Sequence, residues 1–434
     1  MAQKRNSALV FIFITMLIDV IGFGVVIPVF PRLIATIIHG TISEAAQYGG
    51  FLMFAYATMQ FFFSPVLGGL SDQFGRRPVI LAALFGFGID YILLGFAPTI
   101  GWLFLGRLIA GVTGASFTAA GAYIADVSEP EKRAQNFGLI GAAFGLGFII
   151  GPALGGGLAQ LGLWLAVQYP TATFLGYNME HWGLRLPFFA SAVLTLLNWL
   201  YGFFILPESL KPENRRPFDW KRANPIGSLK QLKKRPLTWG LVLPLILLYV
   251  ASYSTQSVWT FYTMEKFGWS EGMVAISLSF VGVMAAVVQG GLTRIVIPKW
   301  GANKAIFVGL SLSAVGYLLY AVAWESWMMF AFTVIASLGG IAMPAIQGIV
   351  SNQVPPNEQG ELRGAMTSLM SFTSIIGPLF MTNLFAYFSK PNAFFQLPGA
   401  PYWVASMLVG LSFLLIYRLL NNKATEKKMM DNKV

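Results

Sequence analysis

The 434-residue chain contains no cysteine and only two histidines, His39 and His181. The lack of cysteine excludes disulfides, thiol catalysis and thiolate metal sites. Both histidines fall in predicted outer loops, so a histidine-based metal or catalytic site is not expected. Charged residues are also scarce, at 11% of the chain against about a quarter in a soluble domain. The sequence contains no nucleophile–base set, nucleotide loop or metal cluster, and we predict a protein that is not an enzyme and uses no cofactor.

Long apolar runs make up most of the chain. Hydrophobic residues make up 56% of the sequence, and many apolar runs reach the roughly 20 residues that a helix needs to cross a bilayer. Twelve such spans are predicted, at 8–34, 47–70, 78–97, 101–125, 136–162, 185–206, 238–262, 272–297, 304–323, 327–350, 362–388 and 401–420. No soluble domain fits between them. The sequence therefore predicts an all-α polytopic membrane protein with twelve transmembrane helices in contact with lipid.

Basic residues are unevenly distributed between the two sides of this topology. One side holds Lys4, Arg5, Arg76, Arg77, Lys132, Arg133, Lys299, Lys304, Arg363, the run 211–235 and the tail. The other side holds Arg32, Arg185, Lys266 and Lys390. Because positively charged loops stay in the cytoplasm, we expect both termini to be cytoplasmic. The net charge of +11 then reflects topology, and a nucleic-acid partner is not expected because no folded basic module is evident.

The chain also repeats itself weakly at an offset of 226 residues. Gly75 matches Gly301 and Pro152 matches Pro378, and the run IIGP occurs twice. The series predicts two six-helix pseudo-repeats, residues 1–206 and 238–420, with a cytoplasmic linker at 207–237 and a cytoplasmic tail at 421–434. Parallel repeats of this kind place a substrate cavity between the halves. The duplication favours a transporter.

The stretch GGLSDQFGRRPVI, residues 68–80, is the most specific motif in the chain. Asp72, Gly75, Arg76 and Arg77 stand where a tight turn joins predicted helices 2 and 3. A basic cytoplasmic turn explains the arginines alone, but not an aspartate four residues earlier, framed by glycines. The pattern resembles the loop between helices 2 and 3 of major facilitator superfamily transporters. One interpretation is a turn tied by a surface salt bridge of little energetic value. The other is a conformational latch, in which Asp72 meets its partners in only one of two access states.

Further motifs carry the same resemblance. They are LGRLIAGVTGA at 105–115, IDVIGFGVVIPVFPRL at 18–33 and the long segment 339–378. The glycine-rich stretch 141–159 resembles the helix 5 pattern of proton-coupled antiporters, with Gly147, Gly151, Pro152, Gly155 and Gly156 as its key residues. Small residues and a Gly-Pro kink suit a helix that slides against the other half, and they also suit plain tight packing. As a set, the motifs look most like the tetracycline-resistance efflux branch of twelve-helix drug:proton antiporters.

Three charged residues are predicted at membrane depth, where charge is costly and calls for a functional hypothesis: Asp19, Asp90 and Arg107. A carboxyl group in a low-dielectric site can bind and release a proton near neutral pH, so these residues are candidates for proton coupling. A static, self-neutralising pair is the alternative. The tetracycline branch has matching acids at the positions of Asp19 and Asp90. The chain departs from that branch at Ala285, where a histidine is common, and at Ser313, where an aspartate is common, so we expect proton coupling in the N-terminal half.

Polar and aromatic residues at helical spacing are candidates for substrate binding, although ordinary helix packing explains any one of them as well. The candidates are Tyr56, Gln60, Tyr123, Gln256, Gln289 and Gln347, the last two as buried amides that need partners. Asp126 is expected to be a helix-end or loop partner. The aromatic outer segment 161–187 is expected either to lie along the membrane surface or to cover an outer opening.

The sequence as a whole predicts a monomeric, proton-coupled antiporter that exports an amphipathic small molecule, tetracycline-like or another drug, by alternating access. The expected partners are that small molecule, protons and membrane lipid, with the proton gradient as the energy source. The short tails favour a bacterial inner membrane. A metabolite importer or symporter of the same fold is one alternative. A receptor or assembly protein that does not transport is another.

Overall fold

The computed structural model describes residues 2–114, 116–129, 133–174, 177–218, 236–351, 359–390 and 393–431. Twelve helices in these ranges are long and apolar enough to cross a membrane, which confirms the predicted all-α polytopic fold. Helices suit this environment because each satisfies its own backbone hydrogen bonds away from water. Most of the predicted linker (219–235), Lys132 and the last three residues of the tail lie outside the described ranges.

We number the membrane-spanning helices α1 to α12. The first six are α1 Ala2–Val26, α2 Ile42–Phe74, α3 Arg76–Phe96, α4 Ile100–Gly114 with Ser116–Val127, α5 Arg133–Gln168 and α6 Leu186–Ile205. The next six are α7 Pro236–Phe267, α8 Glu271–Ala285 with Thr293–Trp300, α9 Ala302–Val322, α10 Ser326–Leu338 with Ala342–Ser351, α11 Gln359–Ser389 and α12 Ala400–Asp431.

Two helices change their winding inside the membrane. The two parts of α8 are joined by a π-helical segment, Ala286–Leu292, and the two parts of α10 by a 3₁₀ turn, Gly339–Ile341. A π segment inside an α-helix is rare and is often found at functional sites. Neither change of winding was predicted from the sequence.

Shorter elements lie on the connections. A helix, Phe30–Ile38, follows α1, and a 3₁₀ turn, Pro212–Asn214, follows α6. The α5–α6 connection carries a hairpin of two-residue strands, Thr173–Phe174 and Tyr177–Asn178, and the helix Met179–Gly183.

Single glycines form two of the turns between helices. Gly75 joins α2 directly to α3 at φ +105°, and Gly301 joins α8 to α9 at φ +77°. L-residues with a side chain rarely adopt such φ values, whereas glycine does so without steric cost. These are the two glycines that the 226-residue repeat pairs. The backbone therefore repeats its conformation at the point where the sequence repeats.

The described residues fall into two compact units. Unit 1 contains those of Met1–Asn224 together with Thr263–Val283, and unit 2 those of Pro225–Tyr262 together with Met284–Val434. Unit 1 has an apolar core built from α1, α3 and α4. The core of unit 2 draws on α7, α9, α10 and α12.

Much of the outer segment 161–187 is helical. Its first part continues α5 as far as Gln168, and its second part folds back so that Gly183 packs on the backbone of Gly162. Arg185 is buried and donates from Nη2 to the carbonyl oxygen of Ala97, 2.9 Å away at the end of α3. This part of the segment is therefore packed against the ends of α3 and α5.

Candidate functional site

Two of the charged residues predicted at membrane depth form an ion pair inside unit 1. Asp90 on α3 and Arg107 on α4 lie 2.7 Å apart, Oδ2 to Nη2, with the aspartate side chain fully buried and that of the arginine 10% exposed. Gly106 makes room for the pair, because a Cβ atom there would lie 2.6 Å from Asp90 Oδ1. The arginine also lies over the ring of Phe30, 5.9 Å from its centroid. Two helices therefore bring opposite charges together away from solvent, where each stabilises the other.

The third charged residue, Asp19, lies on a different helix interface. Its Oδ1 is 3.4 Å from Nδ2 of Asn198 on α6. The same amide nitrogen donates to the carbonyl oxygen of Thr15, at 3.1 Å. Asp19 thus has a neutral hydrogen-bond donor where Asp90 has a cation. Asn198 was not predicted from the sequence, although an amide among the apolar residues of a membrane helix is a usable signal.

Tyr56 and Gln60 on α2 lie beside the ion pair, so the structure brings two predicted substrate residues near two predicted proton residues. Tyr56 interacts electrostatically with both Asp90 and Arg107. Gln60 donates from Nε2 to the hydroxyl oxygen of Tyr56 at 3.3 Å. Tyr91, next to Asp90, interacts electrostatically with both aspartates. The result is a polar cluster that extends across α1, α2, α3, α4 and α6.

Tyr123 is placed elsewhere. It is fully buried in the apolar core of unit 1, and its hydroxyl donates to the carbonyl oxygen of Pro207 at 3.2 Å. The side chain therefore packs against the start of the segment that follows α6. Tyr123 therefore lies apart from the polar cluster.

The loop between α2 and α3 is an ordered charge network. Arg76 pairs with Asp72, four residues earlier on α2, and with Asp126 of α4, at 3.1 Å between Nε and Oδ2. Arg77 donates from Nη2 to the carbonyl oxygen of Phe203 at 2.6 Å. Arg76 is 8% exposed, whereas the Asp72 side chain is 47% exposed, so the network is shielded on its arginine side and open to solvent at Asp72.

Glu208 completes this network, and its role was not predicted from the sequence. Its carboxylate accepts the backbone N–H groups of Arg76 at 2.9 Å and Arg77 at 3.2 Å. Because Gly75 precedes the helix and has no side chain, α3 lacks a cap of its own, and the carboxylate supplies negative charge at the positive end of the helix. Further along the chain, Arg216 donates its backbone N–H to the carbonyl oxygen of Asp72. The first part of the predicted linker is therefore bound to the loop.

The glycines of α5 make its contact with α1. A Cβ atom on Gly147 would lie 2.6 Å from Val20 Cγ1, and one on Gly151 would lie 2.8 Å from Gly24 Cα. Gly155 approaches the backbone of Val25 still more closely. These three glycines, spaced four residues apart, therefore let α1 and α5 pack backbone to backbone. That contact joins two helices of the predicted N-terminal half.

Gly156 and the start of α8 form a second close contact within unit 1. A Cβ on Gly156 would overlap Ala275 and lie 3.1 Å from the carbonyl oxygen of Glu271. The Glu271 side chain is fully buried, and its Oε1 is 3.0 Å from Nε of Arg32, whose side chain is 40% exposed. Ser279 donates to the carbonyl oxygen of Ile149 at 2.9 Å. The ion pair was not anticipated, because its two residues are far apart in the sequence.

The polar candidates of unit 2 are exposed. Gln289 and Gln347 have exposed side chains, so the expectation that they are buried amides is wrong. Gln289 lies inside the π segment of α8, which begins directly after Ala285. Gln256 is also exposed and donates to Oγ of Ser252 at 2.9 Å. Amides exposed at membrane depth need polar surroundings, because lipid offers them no hydrogen bond.

Ser313 is confined by its neighbour. A Cβ atom on Gly339 would overlap its Oγ, so α9 and α10 approach closely at this point. A longer acidic side chain would have to displace the 3₁₀ turn of α10. Within the described ranges, no group of three His, Asp or Glu side chains is arranged to hold a metal ion.

Twelve membrane-spanning helices and charges paired at membrane depth define a multi-pass membrane protein of the transporter class. The Major Facilitator Superfamily model matches residues 12–323 and 296–430. The class C tetracycline resistance protein of Escherichia coli is 38% identical over 384 residues, 88% of this chain and 91% of that protein. The class B protein of the same organism is 32% identical, with 96% and 95% covered. The chain belongs to the major facilitator superfamily, and its sequence groups with the tetracycline resistance proteins, which confirms the resemblance drawn from the motifs.

Solved structures show the same fold. A bacterial homologue of the human lysosomal transporter Spinster, in an inward-facing and occupied conformation, aligns with a TM-score of 0.78 at 18% identity, covering 96% of this chain and 97% of that one. The human organic anion transporter MFSD10 aligns with a TM-score of 0.67 at 22% identity, covering 95% and 99%. The relatives and the fold are those of transporters.

Proposed function

We propose that the protein is a proton-coupled antiporter that exports an amphipathic small molecule by alternating access. The observation that carries the proposal is the buried Asp90–Arg107 pair, with Asp19 on a neighbouring helix interface. Ionisable side chains at membrane depth are costly to keep and are usually part of an ion or substrate pathway. Two carboxylates with different partners can bind and release protons under different conditions.

The two aspartates have different roles in this proposal. Protonation of Asp90 removes the negative charge that faces Arg107, so the arginine is then free to interact with a substrate or with Tyr56. Asp19 faces a neutral amide, so protonation there leaves no cation unpaired. Asp90 therefore couples protonation to a change of partners, and Asp19 acts as a second proton site. In this proposal the proton gradient supplies the energy, and no cofactor takes part in the exchange.

The substrate that we propose is tetracycline or a compound of similar amphipathic character. Support comes from the names of the relatives, which are tetracycline resistance proteins. Tyr56 and Gln60 are the candidate contacts in unit 1, and Gln256, Gln289 and Gln347 are those in unit 2. The π segment carrying Gln289 exposes an amide on an otherwise apolar helix. Because Ala285 and Ser313 replace the histidine and aspartate of the tetracycline branch, the contacts that we propose in unit 2 are neutral amides.

The α2–α3 loop is proposed as the conformational latch. Asp72, Arg76 and Asp126 form a connected network, and Glu208 binds the segment after α6 to the same loop. Breaking several charge-assisted hydrogen bonds together costs more than breaking one surface pair. We further propose a monomer in a bacterial inner membrane, with both termini in the cytoplasm.

Proton movement in vesicles that contain the purified protein tests the function. An internal pH dye follows proton movement after tetracycline is added, and then after each of a panel of lipophilic drugs. We expect proton efflux coupled to drug entry, with none for Asp19→Asn and an unchanged signal for Glu325→Gln, which changes an exposed carboxylate outside the membrane spans. Drug and protons moving in the same direction would exclude antiport. No response to any compound would favour a metabolite carrier, or a protein that does not transport.

A further inference from the structure

Two neighbouring helices carry a line of buried polar side chains. Thr15, Asp19 and Gly22 lie on one face of α1, and Asn198, Thr195 and Ser191 lie on the facing side of α6. The hydroxyl of Ser191 donates to the carbonyl oxygen of Gly22 at 3.1 Å. Asn198 is 1% exposed and Thr195 is fully buried. Polar groups are thus concentrated at one helix interface in an otherwise apolar region.

Asn198 is held in one orientation at this interface. Its Nδ2 donates to the carbonyl oxygen of Thr15 at 3.1 Å. Rotating the amide by half a turn would place Oδ1 against that carbonyl, and two acceptors cannot pair. The nitrogen is therefore the atom that faces Asp19, 3.4 Å from Oδ1. Asn198 offers the carboxyl group of Asp19 a hydrogen-bond donor and no acceptor.

A fixed donor changes the protonation of a carboxyl group. It stabilises the ionised form, which accepts hydrogen bonds, over the protonated form. We infer that Asn198 is a positioning residue for the proposed proton site, which orients the carboxyl group of Asp19 and favours its ionised form over what burial alone would allow. This inference rests on the proposed function of Asp19, and Asn198 itself does not carry the proton.

Few other ionisable groups surround Asp19. Tyr91 on α3 interacts with it electrostatically, and the Asp90–Arg107 pair lies beyond that tyrosine. On α6, Tyr201 is the one ionisable residue, and it stacks on Phe11. Between 134 and 168, α5 has no ionisable side chain. A donor from Asn198 is therefore a large part of the polar environment of Asp19.

The test measures the protonation of Asp19 directly. Infrared spectra of the purified protein in lipid follow the carboxyl C=O stretching band as pH changes, and loss of the band in Asp19→Asn assigns it. In Asn198→Leu, which has a similar size and no donor, we expect the midpoint of this band to rise by about 1 pH unit. Asn198→Ala should shift it in the same direction if the leucine variant folds poorly. Thr195→Val, one turn away on the same face, is the matched control and should leave the midpoint in place.

The outcomes separate this inference from the proposed function, because the infrared measurement needs no substrate. An unchanged midpoint in both Asn198 variants, or no Asp19 band in either the wild type or the variants, overturns the role of Asn198. A shifted midpoint in a protein that moves no tested compound supports that role and counts against the proposed antiport. Where transport is measurable, its pH profile should move upward together with the infrared midpoint. A loss of activity at every pH with no shift would indicate a merely structural residue.

Discussion

Replacing Gly151 with alanine should disrupt the packing of α1 against α5. The new Cβ atom would lie 2.8 Å from Gly24 Cα and 2.8 Å from the carbonyl oxygen of Ile21. Carbon atoms in good contact are about 3.5–4.0 Å apart, so the helices must separate by about 1 Å. Both contacts are with backbone atoms, and no side-chain rotation can relieve them. Overpacking of this kind costs about 1–3 kcal/mol.

Gly157 provides the matched control on the same helix. A Cβ atom there would meet nothing within 4 Å. Gly157→Ala therefore keeps the gain in helix propensity, about 1 kcal/mol, without a clash. Gly151→Ala has the same gain in helix propensity, so the two variants, identical in chemistry and six residues apart, should differ in stability by the overpacking cost alone, about 1–3 kcal/mol.

Unfolding of the purified variants in one detergent measures the difference. The 12 tryptophans of the chain give a fluorescence signal that follows loss of the fold. We expect Gly151→Ala to unfold before the wild type, and Gly157→Ala to unfold with it or after it. Equal midpoints for the two variants would show that the close approach of α1 and α5 does not limit stability, and the packing argument would then be wrong.

Three further predictions concern charged side chains. Arg107→Gln leaves Asp90 buried without its cation, and we expect a loss of about 3–5 kcal/mol in unfolding free energy; an unchanged value would contradict the pairing. Glu208→Gln removes the negative charge at the start of α3, so hydrogen exchange of the first backbone amides of that helix should rise severalfold, reflecting about 0.5–1 kcal/mol. Unchanged exchange would refute the cap. In a double-mutant cycle, the changes in unfolding free energy for Glu271→Gln and Arg32→Gln should depart from additivity by about 1 kcal/mol or more. Additive changes would mean that the ion pair contributes nothing to stability.

The twelve helices were predictable from the sequence because length and apolarity alone decide whether a segment can span a bilayer. The tight turn at Gly75 was also predictable, since only a glycine-framed motif permits it. The sequence placed Asp90 and Arg107 at membrane depth, and it left open whether they meet. Their pairing depends on the packing of α3 against α4, which no local pattern specifies.

The partners of the charged residues were the part that the sequence did not reveal. Asn198 is 179 positions from Asp19, and Glu208 is 132 from Arg76. Residues so distant are brought together by tertiary packing, and a single polar residue in a helix gives no hint of which neighbour it will face. Gln289 shows the opposite error, because it was expected to be a buried amide and instead lies exposed in a π segment.

The one-residue turns at Gly75 and Gly301 have a mechanical consequence. Two steps of 3.8 Å keep the last Cα atom of one helix within about 7.6 Å of the first Cα atom of the next, so α2 and α3 cannot drift apart at that end, and neither can α8 and α9. The two helices of each pair therefore move together at that end. When one helix tilts, its partner must follow, and an epitope inserted at either glycine would uncouple the motion of the two helices.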